Sequence, residues 1–313
     1  MESKGSHFYV EKNTRILLVL LVCVFTLALT YIKSISRDTD LYLEEMQNKL
    51  ALQHEVFDGL QIKAHNVYIY NFTTDEELYS KLPDQEKHIA SLSKIMTAVT
   101  AERTGLDEIT VSKDALIGFE NNGINTGDVW DAKTLGKIML VSSSNNAAEI
   151  FQDFFNKKND SSFVEKMNYN AQKFGLENTH FINPTGLDEG VEGNKSTAKD
   201  ITKLTYIAFK RIPDIAEATT QNQFLFDTPE VGSIGVSNTN VVTDQVPNLL
   251  FSKTGYTDNA GGTLSVLYKS PYNGDTIGIT VLDSTRDARF SDVLTLIKRT
   301  ELYLHLQQSR NII

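Results

Sequence analysis

Residues 263–282 read TLSVLYKSPYNGDTIGITVL. Two β-type runs, 263–268 and 276–282, flank the segment PYNGD, in which Asn273-Gly274 is a strong hairpin turn because both residues accept the positive φ of a tight reversal. A similar run, VYIYNF at 67–72, lies toward the other end of the chain, followed by a turn at Thr73-Thr74-Asp75 and a short return at Leu78-Tyr79. Between these ends the periodicity changes. From Ala90 onward Leu92, Ile95, Met96 and Val99 fall on one helical face, with Gly105 as a stop. Helical stretches follow at about 131–155, 161–174 and 199–210, and an amphipathic helix closes the chain at about 288–306. Strands early and late with helices between them exclude a simple alternating βαβ chain. The expected fold class is α/β in the α+β sense: one mostly antiparallel sheet, built from both chain ends and covered by helices. No linker divides residues 64–313, which are read as one domain.

Working toward the N-terminus, residues 16–32 read ILLVLLVCVFTLALTYI, 17 residues without a charge. At 1.5 Å per residue this is near the short end of what spans a hydrocarbon core. Tyr31 and Lys33 sit where an interfacial anchor belongs, and the following KSISRDTD offers no small-x-small cleavage site. The expectation is an uncleaved anchor: a cytoplasmic tail at 1–15, a transmembrane helix at 16–32 in the lipid bilayer, and a juxtamembrane stalk at 33–63. In the stalk Leu43, Met46, Leu50 and Leu60 recur near helical spacing, over too short a stretch for a coiled coil.

The charge of −10 leaves an acidic body with no basic stripe, which argues against nucleic acid as a partner. Cys23, the single cysteine, lies inside the apolar run, and the six histidines show no ligand spacing. No metal and no cofactor are expected.

Three short motifs carry the chemistry. In Ser91-Leu92-Ser93-Lys94 the serine and lysine are one helical turn apart, so hydroxyl and amine can meet. A serine is a poor nucleophile until a base removes its proton, and a lysine in an apolar helix can be that base once burial lowers its pKa. Alone the pattern is weak. A second copy, Ser196-Thr197-Ala198-Lys199, reads instead as a capping box in which Thr197 and Asp200 open a helix. The second motif, Ser143-Ser144-Asn145, is a polar knot between two apolar helical runs and should mark a turn facing a cleft, although Ser144-Asn145-Asn146 fits Ser-x-Asn equally well. The third is Lys253-Thr254-Gly255 in SKTGYTDNAGG, where a strand-edge lysine and threonine can bind a carboxylate and the glycine lets another group approach the backbone.

In this order, Ser-x-x-Lys, Ser-x-Asn and Lys-Thr-Gly form the signature of β-lactam-recognising serine enzymes. The chain resembles the low-molecular-weight penicillin-binding proteins, the D-alanyl-D-alanine carboxypeptidases of serine peptidase family S11. ASLSKIMTA, LVSSSNNAAE, FGLENTHFINPTGLD, STAKD and SKTGYTDNAGG are similar to that family's blocks and cover about residues 64–306. The resemblance implies a serine β-lactamase/DD-peptidase-like fold and a D-Ala–D-Ala carboxypeptidase trimming peptidoglycan stem peptides through an acyl-enzyme on Ser91, also acylated by β-lactams. Lys94 would take the hydroxyl proton, Ser143 would help proton traffic, and Asn145 would hold the substrate's peptide. Lys253 would place positive charge beside Ser143, and Thr254 would bind the terminal carboxylate. Gly255 belongs to the same substrate-binding strand, and the N–H groups of Ser91 and Tyr256 would form the oxyanion hole. Arg289 matches a second carboxylate contact, against the plainer reading of a solvated helix charge. Asp188 looks like a loop-ordering residue. The wall substrate places the catalytic domain outside the cytoplasmic membrane.

Departures are small: Ile89 precedes ASLSK where a proline is usual, and Ser144 stands where glycine or aspartate is usual. The Glu-x-x-Leu-Asn arrangement that class A β-lactamases use for deacylation is missing from the NPTGLDE segment. Two rival readings remain: a D,D-endopeptidase of peptidoglycan cross-links on the same site, and a non-catalytic penicillin-recognising sensor or scaffold.

Overall fold

A computed structural model of the protein describes residues 4–116, 123–228 and 232–310. Residues 1–3 of the expected tail and 311–313 at the end of the expected domain lie outside the described residues. The chain divides into two units, residues 1–55 with 306–313, and residues 56–305.

The first unit is dominated by one helix, α1 (Lys4–Phe57), which runs unbroken through the residues of the expected anchor and into the expected stalk, ending short of residue 63. It carries an 18-residue window of mean hydropathy 2.2, none of it buried against protein, and is the one helix among the described residues long and apolar enough to cross a membrane. Its polar C-terminal part holds Glu55, whose carboxylate accepts from both terminal nitrogens of Arg310 at 2.8 and 2.9 Å.

In the second unit the strands are β1 (Asn66–Asn71), β2 (Glu76–Lys81), β3 (Lys87–His88), β4 (Glu108–Thr110), β5 (Val129–Asp131), β6 (Lys195–Ser196), β7 (Gln223–Thr228), β8 (Gly232–Ser237), β9 (Leu249–Thr257), β10 (Gly261–Lys269) and β11 (Thr276–Ser284). The helices are α2 (Ser93–Arg103), α3 (Ala132–Ser142), α4 (Asn145–Lys158), α5 (Phe163–Lys173), α6 (Ala198–Arg211), α7 (Pro213–Ala218) and α8 (Ala288–Ser309). The main sheet has the order β2-β1-β11-β10-β9, every pair antiparallel. Both chain ends build it as expected: Val67 sits opposite Val281, and Ser265 opposite Lys253. The expected helix at 131–155 is two helices, because Ser143 takes a left-handed conformation (φ 62°) and stops α3. The β7–β8 hairpin and the short α7 had no distinct sequence signal.

Why α2 lies at the centre follows from its composition. Residues 93–101 are all buried, so its apolar side chains meet core on every side and its polar ones need internal partners. Thr97 Oγ1 donates to the Pro184 carbonyl at 2.7 Å, and Asn170 Nδ2 donates to Thr100 Oγ1 at 3.0 Å. Between α6 and the sheet, Thr202, Thr280, Ser265 and Thr205 form a buried hydroxyl chain with links of 2.7–2.8 Å. A cavity of about 330 Å³ opens beside Ala98, Ala101, Leu106, Phe151, Ile212 and Ile215; no residue of the three motifs lines it.

Candidate active site

A 3₁₀ turn, Ala90–Leu92, runs directly into α2 and carries Ser91 at its centre. The turn is entered through Ala90 at φ 47°, an uncommon conformation for a residue with a side chain. Two glycines accommodate it. A Cβ on Gly186 would fall 1.9 Å from the Ala90 carbonyl oxygen, and one on Gly255 would fall 3.0 Å from the Ser91 nitrogen. The backbone around Ser91 is therefore clamped between the loop after α5 and strand β9, at distances only glycine permits.

One turn along, Lys94 has no solvent exposure. Its Nζ lies 2.9 Å from Ser91 Oγ, 2.8 Å from Asn145 Oδ1 and 2.6 Å from the Thr185 carbonyl oxygen. Both oxygens can only accept, so each requires a hydrogen on Nζ. A neutral amine has two hydrogens and one lone pair. As an ammonium Nζ donates to all three oxygens; in the neutral form its two hydrogens would serve Asn145 and Thr185 and leave the lone pair for the Ser91 hydroxyl, the orientation a base needs.

The second motif lies in the α3–α4 turn. Ser144 is buried and caps α4, its Oγ accepting from the Ala147 N–H at 3.1 Å. That hydroxyl is used as a cap, whereas Ser143 is half-buried in the left-handed turn just before it. Asn145 opens α4 and reaches Lys94. One turn further, Glu149 is a residue sequence reasoning passed over. Burial raises its carboxyl, partly offset by a hydrogen bond from Gln152 and the charge of Lys94.

The third motif is on the edge strand β9. Lys253 is buried and its Nζ donates to the Thr254 carbonyl at 2.9 Å. Burial first, then the positive charges of Lys94 and Arg289, hold its amine well below the usual lysine range. Thr254 Oγ1 donates to Thr239 Oγ1 at 2.7 Å, and the Thr239 N–H bonds the Val141 carbonyl at 3.0 Å, so Thr239 links β9 to the end of α3. Tyr256 is exposed, its ring under Arg286 at 5.3 Å and its hydroxyl 3.1 Å from Asp258 Oδ1. The Ser252 N–H leaves the outer edge of the sheet to bond Thr219 Oγ1 at 3.0 Å. By the period of two along an antiparallel strand, the N–H groups of Thr254 and Tyr256 leave by that same edge.

Arg289 is 8% exposed and donates from Nη1 to the Gly255 carbonyl at 2.5 Å, which excludes the plainer reading of a solvated helix charge. Burial and the neighbouring Arg286 push its pKa down to about 10. Ser196, the decoy serine, is buried at 2.7 Å from Thr179 Oγ1, while Lys199 pairs with Asp84 at 3.5 Å. Thr197 accepts from the Asp200 N–H as a cap, but the Asp200 carboxylate bonds Asn178 and Thr179 instead of closing the box.

The structure thus brings Ser91, Lys94, Asn145, Gly255 and Arg289 together around one 3₁₀ turn, with Lys253 close enough to feel the charge of Lys94. Sequence reasoning missed Thr185, Gly186 and Thr239. Gly186, inside NPTGLD, was the legible one; a carbonyl contribution such as that of Thr185 leaves no mark on residue type.

The family model described as D-alanyl-D-alanine carboxypeptidase, Peptidase S11, matches residues 51–283. The D-alanyl-D-alanine endopeptidase of Pseudomonas aeruginosa is 30% identical over 244 residues, covering 75% of this chain and 74% of that protein. The D-alanyl-D-alanine carboxypeptidase DacD of Escherichia coli is 27% identical over 218 residues, 65% of this chain and 54% of that protein, so this chain spans about half its length. The crystal structure of penicillin-binding protein D2 from Listeria monocytogenes, in an ampicillin-bound form, matches with a TM-score of 0.66 at 27% identity, covering 77% of this chain and 98% of that one.

Proposed function

The chain belongs to the D-alanyl-D-alanine carboxypeptidase family of peptidases, S11, and on that premise we propose that it is a serine DD-peptidase acting on peptidoglycan peptides through an acyl-enzyme on Ser91. The observation that carries this reading is the buried Lys94 amine, 2.9 Å from Ser91 Oγ and held by two carbonyl oxygens.

Ser91 Oγ attacks the carbonyl of a D-alanyl residue as its proton passes to Lys94 Nζ. The N–H groups of Ser91 and Tyr256 receive the developing oxyanion; Ser91 lies at a helix start, where N–H groups have no acceptor in their own helix. The tetrahedral species collapses, the amine leaves with a proton relayed from Lys94 through the Ser143 hydroxyl, and water hydrolyses the ester. Asn145 holds the substrate amide, while Lys253, Thr254 and Arg289 make the neighbourhood favourable for a carboxylate. β-Lactams acylate the same serine. Residues 16–32 anchor the protein in the cytoplasmic membrane, residues 33–63 form a stalk, and the domain at 64–313 works on the outer side, where its substrate is.

Two leaving groups fit this chemistry: free D-Ala in a carboxypeptidase, or the side-chain amine of a neighbouring stem in a cross-link endopeptidase. The first follows from the family as a whole. The second is favoured by one observation: the match to the endopeptidase relative is 30% identical over about three quarters of both chains, whereas the match to the carboxypeptidase DacD covers only about half of DacD. Incubating the protein with purified wall peptides and following them by mass spectrometry decides between them. Loss of cross-linked dimers marks the endopeptidase, and release of D-Ala from pentapeptides marks the carboxypeptidase. A fluorescent penicillin should label the protein covalently, and labelling that persists in Ser91→Ala would overturn the assignment of the nucleophile.

A further inference from the structure

Given Lys94 as the base, as read above, we propose that His88 and Asp188 form a latch that holds the Thr185 carbonyl on Lys94, making both of them positioning residues for acylation.

The loop between α5 and β6 reaches the site through Pro184-Thr185-Gly186. Its stem is fixed from within. Asn183 Oδ1 accepts from the Gly186 N–H at 2.8 Å, and Asn194 accepts from the Ile182 N–H at 2.7 Å while donating to the Asn183 carbonyl at 2.8 Å. Its tip turns to solvent, with Leu187 at 43% and Val191 at 83% exposure. Between tip and stem, Asp188 Oδ1 lies 3.2 Å from His88 Nδ1. His88 is the last residue of β3, three positions before the nucleophile, so this contact joins the loop that orients the base to the strand that delivers the serine.

The pair occupies a space kept for it. Its side chains are only 17% and 13% exposed. A Cβ on Gly193 would fall 2.5 Å from Asp188 Oδ1 and 2.8 Å from His88 Nδ1. A carboxylate is acceptor-only, so the ring donates from Nδ1.

The consequence is geometric. Without the Thr185 carbonyl, the Lys94 amine loses its 2.6 Å contact, and its lone pair is less tightly directed at Ser91. Misplacement of a catalytic group by about 1 Å can cost roughly 10²-fold in rate. Loss of the latch acts through this displacement, so it slows the acylation step and leaves the initial non-covalent encounter with a β-lactam unchanged.

The test uses the full chain in detergent and stopped-flow acylation by a fluorescent penicillin, with Asp188→Ala, His88→Ala and His88→Asn. Asn presents an N–H near the position of Nδ1 and is the conservative variant. The limiting acylation rate constant should fall about tenfold or more in Asp188→Ala and His88→Ala, with the non-covalent dissociation constant within about twofold of the parent and the burst amplitude retained. His88→Asn should recover most of the rate. An unchanged rate constant in the alanine variants overturns the latch. So does a loss of burst amplitude with a normal rate in the surviving fraction, because that is the signature of a purely structural contact. If Asp188→Ala fails to fold, the ratio of His88→Ala to His88→Asn decides. A parent protein that takes no label, or a Ser91→Ala variant that still does, instead defeats the serine-enzyme reading itself.

Discussion

At the scale of single residues the site is governed by two buried lysines with different tasks. Lys94 faces a hydroxyl and two carbonyl oxygens, whereas Lys253 donates to a carbonyl of its own strand. Replacing Lys94 by Met keeps the volume and removes the proposed base. We expect the acylation rate to fall by about 10²–10⁴-fold with the fold retained, measured with fluorescent penicillin and circular dichroism. Lys253 gives a stability signature instead. Its amine is held low in the folded protein, chiefly by burial, and titrates near the ordinary lysine value when the chain unfolds. Between those two values the unfolded chain binds more protons, so the penalty is fully present below the folded pKa and fades as pH rises toward the ordinary value. Thermal melts of Lys253→Met and the parent should therefore differ in slope, the parent gaining stability relative to the variant as pH is raised from neutral. Parallel pH profiles would refute the claim.

At the scale of elements, the proposed nucleophile sits on a strained turn packed closely against two glycines. Gly186 is at φ 78° with the Ala90 carbonyl where a side chain would be, and a Cβ on Gly255 would fall 3.0 Å from the Ser91 nitrogen. Gly186→Ala adds left-handed strain to a clash with main chain that cannot rotate away, and should destabilise by at least about 2 kcal/mol. Urea unfolding checks this, and a midpoint unchanged from the parent would show that the turn can yield. The Ser143 turn is of the same kind: a left-handed residue stops α3, and the cap supplied by Ser144 starts α4 in a new direction. That single turn brings Asn145 to Lys94.

At the scale of the whole molecule, the chain ends are joined by more than sheet pairing. Asp292 on α8 is buried and accepts from the N–H groups of Lys63 and Ala64 at 3.0 and 2.9 Å and from Ser284 Oγ at 2.7 Å. Asp292→Ala leaves these donors without their acceptor inside the protein and should cost about 3 kcal/mol or more, read from chemical denaturation. Asp292→Asn, which keeps one oxygen, should cost less. The helix α1 gives a second prediction: the full chain should partition into the detergent phase, and a chain beginning after residue 37 into the aqueous phase. Equal partitioning of the two would remove the membrane anchor from the proposal.

How much of this was legible beforehand differs by feature. Binary pattern and turn chemistry located β1, β10, β11 and α8, because periods of two and 3.6 are properties of consecutive residues. They also located the apolar N-terminal run, since a stretch of uncharged residues needs no partner to be read. The three motifs likewise announced Ser91, Asn145 and Lys253 by residue type and order. The β7–β8 hairpin escaped because its strands pair only with each other and carry mixed polarity. The roles of Thr185 and Thr239 escaped for a different reason. Thr185 acts through a main-chain oxygen and Thr239 through a contact with a distant strand, neither of which is a property of residue type. The Ser91–Lys94 spacing and the groups proposed to react were thus determined by sequence alone. What tertiary structure decided is the surroundings of the two Ser-x-x-Lys copies: it packs glycine and carbonyl oxygen around Ser91 and Lys94, and ties Ser196 to Thr179.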